Sequence, residues 1–178
     1  MAQTLLDRTD VTTLEVADGA VIRMRPIAPE DEPRLIDLYD HLSRQTIYQR
    51  FFTLMPRLPH DWAHRLANVD YVRRFAVVLD RESAAGVELI GVARYDATDD
   101  SAIAETAFVI RDELQGRGYG KTLLAALLAT AEAHGIARFR GFVLAENRRM
   151  LRMLAQHTHI LERHLDSGVI EVTFERKR

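Results

Sequence analysis

Residues 115–121 read Gln-Gly-Arg-Gly-Tyr-Gly-Lys, and they stand between an apolar, strand-like run (Ala102 to Ile110) and a long helical pattern beginning near Tyr119. Alternating glycines let the backbone turn so that successive N–H groups face inward. A helix that starts at once adds the positive end of its dipole. The fold must therefore bring a strand end, a tight turn and a helix start together, and the junction is expected to hold an anion, with phosphate the expected group.

Two familiar phosphate loops can be tested by counting. Gly120-Lys121-Thr122 fits the end of a Walker loop, but the first glycine of that pattern would fall on Gln115. A dinucleotide fingerprint starting from Gly116 and Gly118 would need its third glycine at Lys121. Both patterns fail by register.

Gln115, Gly118 and Gly120 do match, in register, the acyl-CoA pyrophosphate loop Gln/Arg-x-x-Gly-x-Gly/Ala of the GNAT N-acetyltransferases. Further blocks extend the resemblance: Leu42-Ser43, Tyr48-Gln49-Arg50-Phe51-Phe52, Val69-Asp70-Tyr71, Gly91-Val92-Ala93-Arg94-Tyr95, Ala104-Glu105 and Glu146-Asn147-Arg148-Arg149-Met150-Leu151. Over roughly residues 11–175 the chain resembles the acetyltransferase domain of bacterial protein lysine acetyltransferases. The resemblance implies a GNAT fold in which the strands before the loop and after its helix splay apart around the pantetheine arm of acetyl-CoA, the expected cosubstrate. It places Gln115, Gly116, Arg117, Gly118, Tyr119, Gly120 and Lys121 at the coenzyme, and aligns the backbone of Phe108, Val109 and Ile110 with the segment that holds pantetheine and polarises the thioester carbonyl. Of the cations near the loop, Arg117 and Lys121 are favoured over Arg148 and Arg149 as phosphate contacts. Asn147 reads as the N-cap of the last helix, as a contact to the coenzyme arm, or as both.

Transfer to an amine needs a base, because an amine with a pKa of about 10.4 is protonated at neutral pH. Glu105 is the only charged residue between Ser101 and Ile110. Partial burial there would raise its pKa toward a useful range, and the resemblance gives a glutamate at this position the role of base. The competing reading is a structural Glu105 paired with Arg94 across the sheet or lying on a solvated face. Many GNAT enzymes carry a tyrosine on the last helix that reprotonates the thiolate, but Arg148 to Gln156 contains none. His157-Thr158-His159 is expected as the following turn, and no general acid is assigned.

The rest of the chain supplies a scaffold. Residues 1–10 read as a loose arm and residues 11–178 as one domain. Asp18-Gly19 between β-prone runs marks a first hairpin, and helical patterns follow at Pro29 to Ser43, Thr46 to Phe52 and His60 to Asn68. Strands are expected at Arg74 to Leu79, Leu89 to Tyr95, Ala102 to Ile110 and Arg138 to Leu144, then a helix at Arg148 to Gln156 and a closing hairpin around Asp166-Ser167-Gly168. That order implies an α/β (α+β) fold, a mixed, mostly antiparallel central sheet with helices on both sides.

Composition narrows the function classes. Among 178 residues, 24 Lys and Arg face 26 Asp and Glu without long blocks of one sign, so no nucleic-acid footprint is visible. Cysteine is absent, which removes disulfides and thiol chemistry and fits a reducing cytoplasm. The N-terminus has no leader pattern and no apolar run is long enough to span a membrane, so a cytoplasmic, soluble protein is expected. His60 and His64 share the spacing of a zinc-protease helix, but aspartate replaces its glutamate; no metal is expected, and Trp62 is expected to pack inward. The expected activity is acetyl transfer to a protein lysine; a small-molecule amine acceptor and a non-catalytic acyl-CoA-binding regulatory module are the alternatives. The lysine acetyltransferases it resembles often carry a further nucleotide-binding or synthetase-like domain, of which no counterpart is expected in these residues. Oligomeric state is open, a homodimer included.

Overall fold

The computed structural model describes residues 10–15, 21–84, 86–100 and 102–177. The turn of the first hairpin and, apart from Asp10, the expected arm lie outside those residues. In chain order the elements are β1 (Thr12–Glu15), β2 (Val21–Pro26), a 3-10 turn (Pro29–Asp31), α1 (Glu32–Asp40), α2 (Arg44–Phe51) and α3 (His60–Ala67). Then come β3 (Arg74–Ser83), β4 (Gly86–Ala97), β5 (Ile103–Ile110), a second 3-10 turn (Asp112–Leu114) and α4 (Tyr119–Ala133). β6 (Arg138–Leu144), α5 (Arg148–His157), β7 (Thr158–Asp166) and β8 (Val169–Arg176) close the chain.

One eight-stranded sheet runs in the order β1-β2-β3-β4-β5-β6-β8-β7. Every neighbouring pair is antiparallel except β5 and β6, which are parallel because α4 crosses between them. The β3–β4 hairpin is longer than its apolar pattern suggests, reaching the polar residues Arg81 to Ser83, and it carries a bulge at Ile90, where Leu79 pairs with Gly91 and Asp80 with Leu89.

Local chemistry sets the boundaries. The Ser43 hydroxyl accepts from the Thr46 N–H at 3.2 Å and caps α2, while Phe52 at φ 56 ends it in a left-handed turn. Gly135 at φ 83 follows α4 in the same way. No turn separates α5 from β7: α5 runs to His157 and the strand begins at Thr158, whose buried hydroxyl donates to the Leu154 carbonyl at 2.6 Å and finishes the helix.

Two cores lie on opposite faces of the sheet. On one, Phe75, Val77, Tyr95, Phe139 and Phe174 pack under Leu123, Leu124, Leu127 and Leu128 of α4 and Leu154 of α5. Ala126 and Ala129 of α4 are buried too, because sheet and α5 cover different sides of it. On the other face, Ala76, Val78, Leu89 and Val92 pack against Leu35, Leu38 and Tyr39 of α1, Ile47 of α2, and Ala63 and Ala67 of α3. With Ala63 and Ala67 directed inward, Trp62 lies one step around α3. It is 37% exposed rather than packed inward.

The start of α1 is tied to the sheet by a buried carboxylate. Asp31 is fully buried and accepts two bonds from Arg25 (2.7 and 2.9 Å), one from Arg34 (2.7 Å) and one from the Ala28 N–H (2.9 Å). Burial alone would raise its pKa, but Arg25, the Ala28 N–H and Arg34 outweigh burial and hold the carboxyl below the usual range. A carboxyl whose folded pKa lies below its unfolded value contributes its full stabilisation above about pH 4 and loses it as pH falls through the folded value. Asp31→Asn is therefore expected to cost roughly 3 kcal/mol at pH 7, measured by urea unfolding. The gap to wild type should close as the pH drops below about 4; a gap that stays constant through that range would contradict this role.

Candidate active site

β5 and β6 stay paired only from Ile103/Arg138 to Thr106/Gly141. Beyond that point β5 continues with β4 as far as Ile110/Gly91, and β6 continues with β8 as far as Leu144/Val169. A wedge opens between them. The Arg111 N–H donates to the Ile90 carbonyl at 2.9 Å, and this sets the phase of the β4–β5 ladder. Residues 107 and 109 turn their backbone groups to β4, which leaves those of Phe108 and Ile110 on the wedge side. The wedge belongs to a cleft of about 1200 Å³ that reaches from Glu105 along Phe108, Val109 and Ile110 to the glycine loop.

At the loop, Gly116 (φ 80) and Gly118 (φ 92) adopt the left-handed conformation that the spacing requires, and Gly118 is the N-cap of α4. Gly120 serves a different purpose. It is already helical, and a Cβ there would come within 3.1 Å of the Met153 sulfur, so the missing side chain lets α4 and α5 approach closely. No side chain caps the helix start and its first turn holds no acid, leaving the N–H groups and the helix dipole directed at the cleft.

Gln115 lines the cleft, but its side chain is spent on structure. Its Nε2 donates to the Ile110 carbonyl (3.1 Å) and the Thr46 hydroxyl (3.3 Å), and its Oε1 accepts from Arg149 (2.8 Å). Asp112 extends the brace by accepting from the Ser43 N–H (2.9 Å), the Ser43 hydroxyl (2.7 Å) and the Thr46 hydroxyl (2.7 Å). Burial pushes the Asp112 carboxyl up, but these donors outweigh it and hold the pKa below the usual range. The coenzyme-type loop and the first turn of α2 are thus one hydrogen-bonded unit.

The remaining predicted loop residues divide. Gly116, Gly118, Gly120 and Lys121 line the cleft; among the described residues its wall includes neither Arg117 nor Tyr119, and Tyr119 is buried in the core instead. Asn147 lines the cleft and also caps α5, its side-chain oxygen accepting from the Met150 N–H at 3.1 Å. Arg148 and Arg149 reach the cleft wall as well, although Arg117 and Lys121 were the expected cations. His157 stands at the same end, its pKa lowered by burial and by the charges of Lys121 and Lys177.

Glu105 lines the other end of the cleft and is more exposed than the strand pattern suggests, with its side chain 49% accessible. Its partner is Arg140 at 2.9 Å, not Arg94. Arg94 is drawn to Asp96, which lies across from Glu105 in the β4–β5 register and also takes Arg74, both at 3.0 Å. Burial would raise the Asp96 pKa, but Arg94 and Arg74 outweigh it and keep the carboxylate ionised. The Glu105–Arg140 pair joins an exposed carboxylate to a half-buried guanidinium, and ion pairs open to solvent contribute at most about 1 kcal/mol. Arg140 does not lock the carboxylate.

Among the described residues no cluster of three His, Asp or Glu side chains could hold a metal ion; His64 bonds Glu32 at 2.9 Å. No described helix is long and apolar enough to cross a membrane.

Comparison with known proteins agrees with this geometry. The structure of the GNAT domain of S. lividans PAT superposes with a TM-score of 0.81 at 32% identity, covering 93% of this chain and 96% of that one. Acetyltransferase Pat of Mycolicibacterium smegmatis is 33% identical over 88% of this chain, which spans 46% of the length of that relative. A cAMP-binding acyltransferase from Mycobacterium smegmatis superposes with a TM-score of 0.63 at 26% identity, covering 95% of this chain and 48% of that one. The family model described as "Acetyltransferase (GNAT) domain" matches residues 22–157, and the chain belongs to the GNAT acetyltransferase family.

Proposed function

We propose that this chain transfers an acetyl group from acetyl-CoA to a protein lysine, with Glu105 as the base. The observation that carries the reading is one continuous cleft that joins an uncapped helix start and glycine turn, an unpaired strand edge and an accessible carboxylate, in that order. The loop backbone and Lys121 would hold the pyrophosphate, while the Phe108 backbone groups and the Ile110 N–H would pair with the pantetheine arm as a further strand would; the Ile110 carbonyl is already taken by Gln115. An N–H of that edge would donate to the thioester oxygen as charge develops on it. The amine nitrogen bonds to the carbonyl carbon, the carbon–sulfur bond breaks, and CoA leaves as thiolate. The amine's proton passes to Glu105 directly or through water. We assign the thiolate's proton to no side chain. Residues 11–178 would form one such domain, acting in the cytoplasm.

A protein acceptor is favoured by the far end of the cleft. Gln49, Trp62 and Arg65 form a mouth there in which Trp62 and Arg65 are exposed, rather than an enclosed pocket of convergent polar groups around a small amine. This mouth is built from α2 and α3, the region that resembles lysine acetyltransferases.

Two experiments test the reading. Gly118→Asp puts a side chain and a negative charge at a left-handed position where an anion must approach. It should weaken acetyl-CoA binding at least tenfold in calorimetry, and unchanged affinity in a folded variant would remove the loop from the site. Glu105→Gln should lower the rate by roughly a hundredfold or more while retaining coenzyme affinity. Acetyl-lysine mapping in cell protein with wild type and this variant identifies the acceptor. Turnover of a free polyamine or amino acid with no protein acetylation would favour the small-molecule alternative, and equal rates in both proteins across pH would make Glu105 structural.

A further inference from the structure

α2 lies along β5, its first turn bonded to Asp112 and Gln115 and its last turn reaching Arg94. Arg50 stands in that last turn, on the wall of the cleft and against the sheet face opposite α4. Three other arginines of the cleft wall at this end have acidic neighbours: Arg94 and Arg74 hold Asp96, and Arg65 lies 3.6 Å from Asp61. Among the described residues Arg50 has no ion pair and no hydrogen bond, and its guanidinium rests 4.8 Å from the centre of the Phe51 ring. Asp96 is the nearby acid, and two other guanidiniums already occupy it.

A cation at a helix C-terminus over an aromatic ring has a plain structural explanation, since both the dipole and the ring favour it. The surroundings oppose that explanation. Burial first, and then the charge of Arg94, push the Arg50 pKa down to about 10, against a weaker pull from Asp96. Arg50 is thus held charged at a position where the free protein disfavours its charge, as recognition sites often require.

We infer that Arg50 recognises the acceptor, binding a carboxylate that the acceptor carries close to the amine to be acetylated. This rests on the acetyltransferase reading above and narrows its substrate. Arg50 is separated from the phosphate-binding loop by the length of α2 and lies close to Arg94 and Asp96, on a cleft wall that also includes Gln49 and Trp62, so the carboxylate belongs to the acceptor and not to the coenzyme. For a protein substrate this means an aspartate or glutamate flanking the target lysine. Charge-assisted, two-pronged pairing of guanidinium with carboxylate supplies both affinity and orientation.

The test uses matched acceptors with acetyl-CoA: lysine peptides flanked by Glu or by Gln, and free lysine against lysine amide. Wild type should favour the carboxylate member about tenfold or more in kcat/KM, mainly through KM. Arg50→Gln should erase that preference, keep acetyl-CoA affinity and not lower Tm, while Arg50→Lys restores part of it. Equal use of both members by wild type, a preference that survives in Arg50→Gln, or a fall in Tm would overturn the inference. Peptide acetylation without regard to flanking charge removes Arg50's role and leaves the lysine reading standing. A carboxylate preference among free amines alone keeps Arg50's role and removes the lysine reading, and no turnover at all removes both. Should Arg50→Gln instead change the choice between acetyl-CoA and succinyl-CoA, the carboxylate belongs to the donor and the acceptor assignment falls.

Discussion

The parting of β5 and β6 after Thr106 and Gly141 is the constraint on which the rest of the molecule depends. A strand edge inside a sheet normally finds a neighbour, because an unpaired buried backbone group costs about 1–3 kcal/mol. Here the edge from Phe108 to Ile110 is left open by construction. β4 holds one side of the wedge through Ile110/Gly91 and β8 holds the other through Leu144/Val169, so neither strand can close it. The Gln115 amide takes the Ile110 carbonyl, and Asp112 fixes that turn to α2. Close contact between Gly120 and Met153 brings α5 under the same opening.

Charge is distributed to match. At the loop end the helix start, Lys121, Arg148 and Arg149 present positive potential without an acid in the first helical turn. At the other end, each carboxylate has an arginine, but to different depths. Asp96 is fixed as an anion by two guanidiniums, whereas Glu105 is held loosely at the surface by Arg140 and stays within reach of solvent and substrate. The cleft is thus lined by cations at one end and by an accessible carboxylate at the other. Arg50 adds a charge that forms no ion pair among the described residues.

What the sequence makes legible is what local backbone chemistry decides. Gly116 and Gly118 announce left-handed positions, Asn147 announces a helix start, and apolar runs place most strands within a few residues. Contacts between distant elements are another matter. Arg140 reaches Glu105 across 35 positions and Ser43 reaches Asp112 across 69, and neither pair has a spacing that could reveal it before the sheet register is known. The same gap explains why the strand pattern suggests a half-buried Glu105 and why the competing reading pairs it with Arg94: alternation along a strand gives the face but not the neighbour. Trp62 is expected to pack inward, yet α3 turns Ala63 and Ala67 to the core against α1 and the sheet, which leaves Trp62 on its exposed side.

In the proposed complex the coenzyme completes the open edge of β5. Amide hydrogen exchange with and without saturating acetyl-CoA addresses it residue by residue. Slowed exchange is expected at the Phe108 and Ile110 N–H groups and across residues 116–121. Little change is expected at residues 107 and 109, which β4 already protects. Unaltered exchange at Phe108 and Ile110 in a protein shown to bind acetyl-CoA would contradict it.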